Sequence, residues 1–333
     1  MATNIELIDG ISASSKSITS KAAALKTQVT ALEALKTSQA ATIVTLQAEI
    51  LTLKAQIVTL EARIAELEAG TTPPPPPTLT CPDAPTTGAK GVLVASGSIT
   101  TTAAGQIIEL KNVTGYIYVR HNNVIVRNCK VTRNADVCIL VEADDCLVED
   151  CTLIGGPNAG SRGVVFEGVT QTSANRGTVR RCNISGYEDG VVLGTGSYHK
   201  VMDNYFHHPI AYTASNDPHI DGIQLHGGSG NYSLIEHNNI DGYPEVSSSM
   251  TCGNRSFDDG VGEKQGAMGL VIRNNRMNGG TSVLYIEGMD SAGNQVTDNL
   301  MGNSIYGNYI SGTGIGGAVY SGNKDINTGN PIL

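Results

Sequence analysis

A six-residue pattern recurs through the C-terminal two thirds of this chain: VRNCKV, VEDCTL, VRRCNI, VMDNYF, IEHNNI, IRNNRM and IYGNYI. Its first position is always aliphatic (Val126, Val148, Val179, Val201, Ile235, Ile272, Ile305) and its sixth always apolar (Val131, Leu153, Ile184, Phe206, Ile240, Met277, Ile310). The fourth position is Cys129, Cys151 and Cys182, then Asn204, Asn238, Asn275 and Asn308. The copies lie 22, 31, 22, 34, 37 and 33 residues apart, so a unit of about 22 residues carries insertions of variable length. A unit this short, with no helical periodicity, cannot close a core alone. Stacked on its neighbours at about 4.8 Å it makes one coil of a parallel β-helix, with equivalent residues in ladders. The first and sixth positions change parity across the fourth, so the chain bends there. Asn suits a bend because it tolerates left-handed backbone and can hydrogen-bond its copies above and below. The three cysteines are expected as buried thiols, since stacked parallel neighbours offer poor disulfide geometry.

Composition supports thin layers of small side chains: 39 glycines, three Phe and no Trp. A net charge of −9 without a Lys/Arg cluster argues against nucleic acid and anionic membrane surfaces as partners. No stretch reaches the roughly 18 apolar residues of a membrane span. The start, MATNIELIDGISASS, has neither a basic nor an apolar secretion region, so synthesis in a cytoplasm is expected. Seven cysteines, an odd number, fit folding at a reducing site.

Residues 5–69 contain no Pro, and Gly10 is their single Gly. Ile43, Ile50, Ile57 and Ile64 fall at heptad position a, and Leu46, Leu53, Leu60 and Leu67 at d. The frame continues upstream through Leu32, Val29, Leu25, Ile18, Ile11 and Ile8, interrupted by Ser15, Lys36 and Gln39. This predicts a coiled coil with Ile50, Leu53, Ile57 and Leu60 in its oligomerisation seam. Glu49 with Lys54 and Arg63 with Glu68 are g-to-e pairs of parallel strands. Val44, Leu51 and Val58 add an apolar b stripe, suited to a larger bundle or to docking on another protein. GTTPPPPPTLTCPDAP then ends the helix and begins a polyproline spacer. The expected organisation is a stalk over 1–70, a linker over 71–88 and a β-helix over 89–333.

These features together resemble the right-handed parallel β-helix superfamily of pectate lyases, polygalacturonases and phage tailspikes. The parallel coil, proline spacer and β-helix are similar to a phage tailspike, tail fibre or head fibre. That resemblance implies a homotrimer, although Ile at a with Leu at d favours dimers in simple peptides. It also implies a virion location, with the N-terminal helix fixed to a virion structural protein and the β-helix facing a bacterial surface polysaccharide. An active depolymerase of the same architecture, hydrolase or lyase, is the first alternative. A cellular carbohydrate-active enzyme oligomerised by its coil is the second.

A second strand recurs in each coil: DVCILV, RGVVFEG, DGVVLG, DGIQLHG, DDGVGEK, TSVLYIEG and GGAVYSG. Three of these contain Asp-Gly, which would stack Asp189, Asp221 and Asp259 at about 4.8 Å, the outer two about 9.6 Å apart. Such a column needs protonation, a cation or backbone hydrogen bonds to offset repulsion. The insertions HHPIAYTASNDPHI (207–220) and DGYPEVSSSMTCGNRSFD (241–258) are expected to form one wall beside it. The expected groove is lined by Gln224, His226 and Lys264, with Asp217 and His219 on the wall and Tyr205 as a surface aromatic for sugar. For hydrolysis, adjacent carboxylates suit retention and the outer pair inversion. For a lyase, the carboxylates would hold Ca²⁺ while Lys264 or His219 removes a proton. No cofactor is required otherwise. Against all of this, Asp-Gly is ordinary turn chemistry.

Overall fold

The structure is a computed structural model. It describes residues 4, 9–33, 35, 36 and 39, then 80–134, 136–157, 160–167, 174–210, 220–225, 230–242, 248–252, 267–280, 282–287, 293–304, 308–313 and 318–332. Two compact units divide the chain, Met1–Thr78 and Leu79–Leu333. In the first, residues 9–33 are helical. Its heptad residues Ile11, Ile18, Leu25, Val29 and Leu32 are all exposed on the single chain. The anchoring residues Val44, Ile50, Leu51, Leu53, Ile57, Val58 and Leu60 lie outside the described residues.

The second unit is a parallel β-solenoid. Its strands visit three sheets in strict rotation, starting with Val94–Ser96 in sheet A, Ile99–Thr100 in sheet B and Ile107–Glu109 in sheet C. Among the described residues sheet A has ten strands and sheets B and C nine each, all paired in parallel with the neighbouring coil. The six-residue pattern spans the corner from sheet C to sheet A. Its first position gives the inward column Val126, Val148, Val179, Val201, Ile235, Ile272 and Val296. Its sixth gives Val131, Leu153, Ile184, Phe206, Ile240, Met277 and Met301. These stacks are essentially free of solvent and form one continuous core.

Two expectations about this corner are corrected. IYGNYI is not the seventh copy: Asn308 belongs to sheet B, opposite Ser282. The seventh and eighth copies are VTDNLM (296–301) and YSGNKD (320–325), each 24 residues after the one before. The left-handed residue is the third of the pattern rather than the fourth: Leu110, Asn128, Asp150, Arg181, Asp203, His237, Asn274 and Asp298 all have φ between 48° and 57°. The fourth position instead carries the ladder. Asn204, Asn238, Asn275 and Asn299 each donate Nδ2 to the next Asn Oδ1 at 2.9–3.0 Å, ending on Asn323. Each amide also donates to a carbonyl across the corner, as Asn238 does to Val201 at 2.8 Å. Upstream, the thiols of Cys129, Cys151 and Cys182 point at carbonyls of the preceding coil, and all three are buried. A ladder of ion pairs runs along sheet C, where Arg127 meets Glu109 at 2.6 Å and Arg180 meets Glu149 at 2.7 Å.

Residues 80–89 run along the outside of sheet A as a strap before the first coil begins. His237 Nε2 lies 2.8 Å from the Thr80 carbonyl, and Asn239 Nδ2 donates to the Pro82 carbonyl at 2.8 Å. Further along, Gly88 N–H reaches the Arg181 carbonyl and Ala89 N–H the Thr152 hydroxyl, at 2.9 and 3.0 Å.

Candidate active site

Sheet B carries the acidic strands. Its register aligns the first residue of each strand in one column: Val137, Arg162, Asp189, Asp221 and Ser248. Asp189 and Asp221 are therefore direct neighbours, as the Asp-Gly repeat predicted. Asp259 is not the third member. The next strand is Ser248–Cys252, which continues the register column of Val191 and Ile223 with Met250. Asp259 lies outside the described residues. The insertion 241–258 is consequently not one loop, because its middle is a sheet B strand. GGAVYSG is also displaced: Ala318–Ser321 belongs to sheet C.

The glycine and the aspartate of Asp-Gly have separate causes. A Cβ on Gly190 would sit 2.5 Å from the Gly222 carbonyl oxygen and 2.5 Å from the Phe206 ring. Packing between coils thus demands glycine there. No such contact demands the carboxylate beside it, and the same position is Arg162 one coil earlier.

Both carboxylates are nearly sealed, Asp189 at 4% and Asp221 at 2% exposure. Arg162 Nε donates to Asp189 Oδ2 at 3.2 Å, with its own side chain 39% exposed toward solvent. Asp189 Oδ1 is buried with no hydrogen-bond partner among the described residues. Burial first, then the Asp221 charge, pushes the Asp189 carboxyl well above the usual carboxylate range; Arg162 opposes this and Glu188 adds to it. Gln224 Nε2 lies 3.5 Å from Asp221 Oδ2, at the long limit of a hydrogen bond. Glu188 accepts from the Gly160 N–H. Tyr187, two residues before Asp189 in the turn from sheet A to sheet B, is buried, its hydroxyl without a partner among the described residues. Burial, with Asp241, Tyr205 and Asp221, raises its pKa.

Chemically this is one acid that keeps its proton beside a second carboxyl one strand away. Asp189 suits proton donation and Asp221 suits charge or nucleophilic attack. Among the described residues no cluster of three metal-ligating groups forms. Arg162 places a positive charge against Asp189.

Of the sequence-predicted site residues, Asp189, Asp221 and Gln224 come together. Tyr205 does not join them: it lies on sheet A, stacked on His207 with ring centroids 4.5 Å apart. Asp217, His219, His226 and Lys264 lie outside the described residues. Arg162, Tyr187 and Glu188 were not anticipated. The signal for Arg162 was present, since RGVV, DGVV and DGIQ align without a gap.

No family model matches the chain, and no curated protein matches it. Several solved structures do. The A-module of the mannuronan C-5 epimerase AlgE6 of Azotobacter vinelandii is 13% identical with a TM-score of 0.42, covering 73% of this chain and 60% of its own. A tailspike protein of E. coli bacteriophage HK620 in complex with a pentasaccharide is 15% identical with a TM-score of 0.40, covering 71% and 45%. The PL6 family alginate lyase AlyGC is 11% identical with a TM-score of 0.34, covering 69% and 37%. The chain thus spans less than two thirds of each of these structures. All three are parallel β-helix proteins.

Proposed function

We propose that this protein is a homotrimeric fibre or spike, anchored to a virion by its N-terminal helix, whose solenoid binds a bacterial surface polysaccharide and cleaves it at Asp189 and Asp221. The observation that carries the chemistry is the buried pair itself: two carboxyls in register on adjacent strands, one with an unpartnered oxygen and a strong bias toward keeping its proton. Adjacent strands stand about 4.8 Å apart, close to the spacing of retaining glycosidases and short of the inverting range. With Ser248 next to Asp221 in the register, the wider pairing has no second carboxyl among the described residues. In this reading Asp189 protonates the glycosidic oxygen as the bond to the anomeric carbon breaks. Asp221 forms the glycosyl ester, and water then releases the sugar while returning a proton to Asp189.

The oligomer is supported by the helix. Ile11, Ile18 and Leu32 are each more than 60% exposed on one chain, a stripe that parallel copies would bury. The trimer and the virion attachment follow the resemblance to spikes and fibres.

The test is incubation with host polysaccharides, reading new reducing ends and, by proton NMR, the anomer first released. The proposal expects the retained anomer, with loss of release in Asp189→Asn and Asp221→Asn and preserved binding. The near-complete burial of both carboxyls favours a second reading, a binder without turnover. Wild type that binds and releases nothing would establish that reading instead.

A further inference from the structure

We propose that the strap over residues 80–89 is a pH-gated latch whose bolt is His237 in its doubly protonated form. The geometry is specific. His237 Nδ1 lies 2.7 Å from Asp203 Oδ1, and its Nε2 lies 2.8 Å from the Thr80 carbonyl oxygen. A carboxylate and a carbonyl are both acceptors, so both contacts are hydrogen bonds only when each ring nitrogen carries a proton. Loss of one proton to solvent leaves a lone pair facing an oxygen at one of the two. Either the strap loses its terminal bond, or the imidazole loses the carboxylate that orients it.

The surroundings make this a device rather than an isolated contact. His237 occupies the left-handed corner position, with φ of 54°, directly after Asp203 in the corner column. The corner and the strap border a half-open cleft of about 510 Å³ lined by Thr80, Cys81, Asp83, Arg181, Asp203 and His237, among others. Charged groups facing it are few. The strap contributes Asp83 and the Cys81 thiol. The corner contributes Asp203 and, two coils back, Arg181, which is already paired with Glu149 and Asp150 at 2.7 Å. Sheet C presents Glu236 paired with Arg273 at 2.7 Å, and sheet A presents Arg276, 3.6 Å from Asp241. Asp203 is the acid in contact with the ring.

Three further bonds from strap to solenoid join groups that do not titrate: Asn239 with Pro82, Gly88 with Arg181, and Ala89 with Thr152; the Asp83 carboxylate is bonded within the strap, to Thr86. Release therefore begins at Thr80 and runs toward Gly88. Ten freed residues extend the tether ahead of the first coil by up to about 33 Å. The solenoid loses no interstrand bond, because its ladders do not involve the strap.

The test uses the full chain in a Cys252→Ser background. Cys81 rides on the strap and is half-buried, whereas Cys129, Cys138, Cys146, Cys151 and Cys182 are buried in the solenoid. Maleimide labelling of Cys81 is followed between about pH 5 and 8, the range over which imidazole changes charge. Each wild-type rate is divided by that of His237→Gln at the same pH, which cancels thiol ionisation. Glutamine donates to Thr80 without titrating. The ratio is expected to rise about tenfold from acid to alkaline conditions, the scale of one charge-assisted hydrogen bond. A flat ratio overturns the latch. Hydrogen exchange on wild type provides a second measurement that needs no variant. Protection factors of Gly88 and Ala89, corrected for intrinsic rates, should fall with rising pH while residues 125–132 stay protected; unchanged factors refute the latch equally.

Discussion

Replacing Asp189 by asparagine should stabilise the protein, and by more at alkaline than at acid pH. In the native state burial and Asp221 hold the Asp189 carboxyl well above its ordinary range. In the unfolded chain it ionises normally, near pH 4. Below that value both states carry the proton, and the group is neutral to stability. As pH rises the unfolded state ionises while the native state resists, so the native state loses ground until its own raised pKa is passed. Asparagine has the same shape, removes this term, and brings an N–H that can donate to Asp221. It forfeits the Arg162 ion pair, but that guanidinium is more than a third exposed and the pair contributes at most about 1 kcal/mol. A buried unsatisfied polar oxygen costs about 1–3 kcal/mol, so the net gain near pH 8 is about 1–2 kcal/mol. For a unit of this size that is an apparent melting shift of roughly 2–8 °C. The assay is thermal unfolding of wild type and Asp189→Asn from pH 4 to pH 8 at one scan rate. A variant that melts below wild type at pH 8, or whose shift is the same at both ends, would refute the account of this carboxyl as strained.

Other outcomes follow from the ladders and the packing. Asn238→Ala strands the partners of five hydrogen bonds at a buried corner and should cost about 3–5 kcal/mol, read as loss of soluble protein or a large fall in melting temperature. Asn204→Cys should be milder than Asn204→Ala, because a thiol fills the equivalent place one coil earlier at Cys182; melting of the two variants checks the order. Gly190→Ala drives a methyl into the Gly222 carbonyl and the Phe206 ring and should destabilise by about 1–3 kcal/mol in the same assay. Burial raises the Cys138 thiol to about 12, so it should stay unreactive toward a disulfide reagent in the native state; Cys129, Cys146, Cys151 and Cys182 should be protected by their burial alone. Modification of any of the five before unfolding contradicts their burial in the solenoid.

The solenoid was legible because its inward positions are few and repeated. An aliphatic residue, a Cys or Asn and a second apolar residue at fixed offsets leave little choice of register. The position of the left-handed bend was misjudged, although Asn128, Asp150, Asp203, Asn274 and Asp298 marked it at the third place. Asn has two separate uses, tolerance of positive φ and amide stacking, and residue type alone does not say which applies. IYGNYI was mistaken for a coil because it satisfies the same three positions as VTDNLM; the even 24-residue spacing of the last two coils distinguishes them. At the site, Asp-Gly correctly paired Asp189 with Asp221, where the strands share a register. It could not foresee Ser248 as the next member of the column, because the neighbouring strand, SSMTC, contains no such dipeptide. Among the partners that give Asp189 its chemistry, the register position of Arg162 was legible from the alignment of RGVV with DGVV, but its ion pair and the burial were not. Burial and the approach of Arg162 and Glu188 arise from how coils of unequal length stack, which no local motif records.

The strap also has a mechanical consequence. A pull on the chain ahead of Thr80 does not act first on Val94–Ser96 and Ile99–Thr100, the short edge strands that open the solenoid. It acts on His237, then on Asn239, and reaches the contacts at Arg181 and Thr152 only after those yield. The fasteners give way singly and in order, each lengthening the tether and dissipating work. The first coil, which has the fewest neighbours and the least to hold it, is the last to feel tension.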